Sequence, residues 1–98
     1  MSEGHPEFLK VLDEIRAMHL RKGQDYGTKR DTFANVRSAE EFGLEAWKGA
    51  ILRANDKMAR LKAFCVNGKL ANESVEDSLL DLANYAMIAL VLFREGKT

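Results

Sequence analysis

The apolar run "LLDLANYAMIALVLF", residues 79–93, contains Asp81 and Asn84. Burying a carboxylate or an amide is costly unless each finds a partner. Asp77 precedes Asp81 by four residues, so in a helix the two carboxylates face the same way. A pair of hard oxygen ligands suits Mg²⁺. Further back, Arg53, Lys57 and Arg60 recur at spacings of four and three, a row of positive charge along one helix side. Such a row has two uses. It can bind phosphate oxygens, or it can neutralise a buried acid on a neighbouring helix.

A second set of candidates lies in "QDYGTKRDTFANVR", residues 24–37, which shows no sustained period. Long loops inside small domains are often functional. Tyr26 could stack on a base, a contact worth roughly 1–3 kcal/mol. Lys22, Lys29 and Arg30 could reach phosphates, with Asp25 beside the tyrosine. The alternative is that Tyr26 packs on helix ends and Gly27 only permits a positive φ.

These residues need helices to position them. Pro6 suits a first helical turn, and Phe8, Leu12, Ile15 and His19 then share a stripe ending near Gly23. Ser38 and Glu41 form an S-x-x-E capping box. After them Trp47, Ile51, Ala54, Met58, Leu61 and Cys65 make an apolar seam that stops at Asn67-Gly68. Asn72 or Ser74 can cap a last helix, whose first turns hold Glu73, Glu76 and Asp77, where the helix dipole favours negative charge. The pattern predicts an all-α single domain with three main helices, at about residues 6–22, 39–66 and 73–94, and a functional loop at about 23–38. The second and third form an antiparallel hairpin. Their register brings Lys57 and Arg60 level with Asp77 to Asp81. On the last helix Val75, Leu79, Leu82, Ala83, Ala86, Leu90 and Phe93 form the expected core face. Asp77, Asp81, Asn84 and Tyr85 fall opposite, lining an interior groove and continued by Ile88 and Leu92. Those two residues need a second covering element, which points to a homo-oligomer.

Composition narrows the class. The chain has 98 residues, 46% of them hydrophobic, and a net charge of zero, which gives no support to a nucleic-acid coat role. Basic and acidic stretches alternate. Residues 16–37 carry six bases against Asp25 and Asp31, while residues 70–81 hold four acids and no base. The single cysteine, Cys65, allows no intrachain disulfide and no cysteine-based zinc site. With no signal-peptide pattern at the start and no run long enough for a bilayer, the expectation is a soluble cytoplasmic protein with no membrane partner.

"DYG" at 25–27, "FG" at 42–43, "DKMARLK" at 56–62 and "ESVEDSLLDLANYAMIAL" at 73–90 resemble the bacteriophage nucleotide modification associated domain family. The helical pattern is similar to the MazG-like all-α nucleoside triphosphate pyrophosphohydrolases. The resemblance implies a phage-encoded protein in the host cytoplasm whose partner is a nucleotide or a nucleotide-derived small molecule. It would be held by Lys22, Asp25, Tyr26, Lys29, Arg30, Arg53, Lys57, Arg60, Asp81 and Asn84. Sequestering a nucleotide signal, or serving nucleotide modification, are concrete forms of that role. The MazG-like likeness implies an alternative, a Mg²⁺-dependent pyrophosphohydrolase with Asp77 and Asp81 on the metal. In that group E-x-x-E and E-x-x-D on two helices hold Mg²⁺. Here the acids are spaced i, i+4, the acid pair of the second helix, Glu41 and Glu45, lies at the far end of the hairpin from Asp81, and Asp56, level with the site, points away from the seam. A structural or protein-interaction module is the third reading, with the acids as ion-pair partners.

Overall fold

The computed structural model describes residues 3–26, 33–69 and 74–96, without the side chains of 22–26. Among them every regular element is helical. Two compact units are formed, Met1–Ala34 and Asn35–Thr98.

In the first unit, His5 Nδ1 accepts the backbone N–H groups of Glu7 and Phe8, at 3.2 and 3.4 Å. Two otherwise orphaned donors are thereby satisfied at the start of α1, Pro6–Tyr26. The helix runs through Gly23, where a stop was expected. Ile15 and Met18 are buried, and the half-buried His19 ring lies 5.7 Å from that of Phe33.

The short α2, Ala34–Arg37, lies inside the stretch expected to be loop, and all but its first residue belong to the second unit. A 3-10 turn, Ser38–Phe42, follows directly. The expected capping box does not form. Ser38 Oγ donates instead to the Asn35 carbonyl at 2.7 Å, which joins the two short helical pieces. Gly43, at φ 79°, reverses the chain in the left-handed region that only glycine enters cheaply. The long helix α3 therefore starts later than expected, at Ala46, and ends at Asn67. The last helix, α4, spans Val75–Glu95, with Ser74 Oγ accepting the Asp77 N–H at 3.0 Å as its N-cap.

α3 and α4 pack as an antiparallel hairpin. Two pairs give its register: Trp47 meets Phe93 edge to face, centroids 5.4 Å apart, and Lys57 meets Asp81. Ala50, with no exposure at all, and Ala54 are the small residues of α3 at this seam. The face that α4 turns to α3 is not the one its apolar pattern predicts. Ser78, Asp81, Asn84, Ile88, Ala89 and Leu92 are buried, whereas Leu79, Ala86, Leu90 and Phe93 are exposed. Ile88 and Leu92 thus have their cover within the chain. The seam of α3 is shifted likewise, since Ile51, Met58 and Cys65 are exposed. On the buried face Asp81 meets Lys57 of α3 at 3.2 Å, which offsets the cost of its burial, and Ile88, Ala89 and Leu92 supply the apolar contact.

Candidate functional site

Asp81 is held where it is by α3. The Lys57 ammonium lies 3.2 Å from Asp81 Oδ2, with side-chain exposures of 18% and 12%. At such burial each charge needs the other, because neither retains much of its hydration. Asn84, one turn on, is buried on the same face, and Ser78, one turn back, is completely enclosed. Ser78 Oγ has no hydrogen-bond partner. The polar positions of the apolar run thus lie in the packed hairpin seam rather than along the expected interior groove.

The carboxylates do not fit a Mg²⁺ centre. Asp81 gives an oxygen to an ammonium, and Asp77 is exposed. Among the described residues no group of three or more His, Cys, Asp or Glu is placed to hold a metal ion.

Of the remaining candidates, Arg53 and Arg60 are exposed on α3. Lys29 and Arg30 lie outside the described residues, as do the side chains of Lys22, Asp25 and Tyr26. Arg53 borders a cleft. The cavity, about 280 Å³, lies where α2 and the 3-10 turn cross the start of α3, and Val36, Ala39 and Gly49 are among its lining residues. Phe42, 83% exposed, and Leu44, Leu52, Asn35 and Arg53 also border it. The crossing is close because of Gly49. A Cβ there would stand 2.7 Å from Ala39 Cβ and 2.9 Å from the Val36 carbonyl oxygen. Arg37 secures α2 from the other side, its guanidinium 2.8 Å from Glu95 on α4.

The entrance to α3 has its own electrostatics. Glu45 precedes the helix, accepts the Trp47 indole N–H at 3.0 Å and pairs with Lys48 at 3.2 Å. The indole donor first, and Lys48 second, hold the Glu45 carboxyl below its ordinary value of 4.5.

The reading from sequence passed over Phe42, Asn35, Leu44 and Leu52. A usable signal was present at Phe42-Gly43: an aromatic side chain directly before a chain-reversing glycine has little helix surface to pack against. The long unpatterned stretch hid the rest.

Compared with protein-family models, curated proteins and solved structures, the chain matches none. Among the described residues, no helix is long and apolar enough to cross a membrane.

Proposed function

We propose that this chain binds a nucleotide, or a nucleotide-derived small molecule, in the cleft between α2, the 3-10 turn and the start of α3, without turning it over. One observation carries the reading: Phe42, an exposed aromatic ring, and Arg53, an exposed guanidinium, border the same apolar cleft. A base can stack on the ring, and stacking of this kind is worth roughly 1–3 kcal/mol. The guanidinium fork matches a phosphate. The volume of about 280 Å³ lies near the lower end of ligand pockets, about 300–1,000 Å³. It suits a base and sugar, with phosphates at the rim. The resemblance to the phage nucleotide modification associated family supports the same ligand class, and sequestration of a signalling nucleotide is the form of it that needs no catalytic acids.

The test is a thermal-shift screen of nucleotides, linear and cyclic, each with and without Mg²⁺. A ligand at 100 times its Kd raises stability by about 2.7 kcal/mol, well within detection. Phe42→Ala and Arg53→Ala, both at exposed positions, should each reduce the shift and leave the unliganded midpoint nearly unchanged. Mg²⁺-dependent pyrophosphate release from a nucleoside triphosphate would replace this reading with a pyrophosphohydrolase. No shift with any nucleotide would leave a protein-interaction module.

A further inference from the structure

The exposed side of α4 has a pattern of its own. Leu79, Ala83, Ala86, Leu90 and Phe93 follow one another at spacings of four, three, four and three, the a/d repeat of a helix-pairing seam. Leu79 is 50% and Leu90 48% exposed, so these side chains are not consumed by the hairpin. Trp47 extends the surface, because its contact with Phe93 puts the flank of α3 carrying Ile51 and Met58 on the same side of the hairpin.

The charges show what covers it. α4 carries five charged residues, Glu76, Asp77, Asp81, Arg94 and Glu95. At about 100° per residue, Asp77, Asp81 and Glu95 lie toward the α3 side, while Glu76 and Arg94 share one edge of the exposed stripe. They stand at its two ends, with opposite sign. A stripe that is acidic at one end, basic at the other and small in the middle is complementary to itself reversed. Turned about a two-fold axis near residue 85, each α4 places Leu79 against Leu90 of the other copy and Ala83 against Ala86. Each Glu76 then faces an Arg94, on the same edge of the pair. The alanines at the centre allow the two helix axes to approach closely, as small residues do at helix crossings.

We infer that two copies of this chain associate through an antiparallel, two-fold α4–α4 contact, with the Leu79–Phe93 stripe as its dry seam and two Glu76–Arg94 pairs at its ends. The interface is isologous, so every contact occurs twice. It covers the side of α4 opposite Asp81 and stands apart from the Phe42–Arg53 cleft. Its test is therefore independent of whether a nucleotide binds.

The experiment is sedimentation equilibrium of the full chain and charge-swapped variants at low salt. The wild type should be a dimer. Glu76→Arg alone, or Arg94→Glu alone, puts like charges at both ends and should weaken dimerisation roughly tenfold, with the effect shrinking at high salt. The double swap restores opposite charges and should restore the dimer, even though it keeps both unfavourable helix-dipole changes. Mixing the two single variants should give a heterodimer tighter than either homodimer. Ala86→Arg, at an exposed position, should give a monomer with wild-type helicity. A wild type that is monomeric at 100 times the concentration of a typical assay, or a dimer indifferent to both single swaps, would overturn the inference. In the first case another part of this chain covers the stripe, and in the second the dimer uses a different face.

Discussion

Lys57 Nζ stands 3.2 Å from Asp81 Oδ2 across the α3–α4 seam, and both side chains are largely withdrawn from water. The pair lies on the side of α4 that is interior, beside the buried Ile88, Ala89 and Leu92. Removing one partner leaves a buried charge, a loss of about 3–5 kcal/mol for a fully buried pair. Because both groups retain some exposure, Asp81→Ala and Lys57→Ala should each lower unfolding stability toward the smaller end of that range. The double variant Lys57→Met, Asp81→Leu should recover most of the loss, since two apolar side chains need no mutual neutralisation. Urea unfolding of the wild type, Lys57→Met, Asp81→Leu and the double variant closes the cycle. Additive losses would mean that the two charges act independently.

Leu79, Leu82, Ala83, Ala86, Leu90 and Phe93 form the more apolar face of α4, and hydrophobic periodicity alone turns that face inward. Periodicity weighs side chains one helix at a time and has no term for a charge on the neighbour. The register of the hairpin was legible, from the turn at Asn67-Gly68 and from the basic row on α3, and so was the pairing of an interior acid with a base. The helical content was legible for the same local reasons, Pro6, Ser74 and the two long apolar periods. The cleft was not. It depends on the approach of Val36 and Ala39 to Gly49, between residues 10 to 13 positions apart in sequence, and no local pattern encodes such a crossing.

That approach gives the second prediction. Gly49→Ala would gain helix propensity in the first turn of α3, at most the roughly 1 kcal/mol of a helix interior. Against this, the new methyl would sit 2.7 Å from Ala39 Cβ and 2.9 Å from a backbone carbonyl oxygen, which cannot swing aside. Overpacking of this kind costs about 1–3 kcal/mol. The expected result is a net loss of stability, together with weaker ligand binding as α2 and the 3-10 turn are pushed off α3. A stabilised Gly49→Ala protein with an unchanged cleft would show that the crossing is loose.

Ser78 supplies a change expected to stabilise. Its side chain is fully enclosed and its hydroxyl lacks a hydrogen-bond partner. An unsatisfied buried polar group costs about 1–3 kcal/mol. Ser78→Ala removes that group, deletes a single heavy atom and improves helix propensity. Stability should rise by about 1 kcal/mol, read as a higher urea midpoint at unchanged slope. A loss would mean that the hydroxyl is bonded in solution, most simply through a buried water.

The last prediction uses the chain's single tryptophan as its own reporter. Trp47 donates its indole N–H to Glu45, whose carboxyl is held below 4.5 by that bond first and by Lys48 second. A carboxyl whose folded pKa is depressed contributes stability above its unfolded pKa. That contribution declines as pH falls from the unfolded value and is gone below the folded one. Protonation also weakens the indole bond, since a neutral carboxyl is a poorer acceptor than a carboxylate, so Trp47 emission should change with pH. The midpoint should lie below 4.5, and Glu45→Gln should abolish the transition without unfolding the hairpin. Because Glu45 is largely exposed, salt should move the midpoint back toward 4.5 by screening Lys48. The indole bond, being a direct contact, should keep part of the shift at high salt. A midpoint at or above 4.5 in low salt would mean that the Trp47–Glu45 bond is not formed in solution.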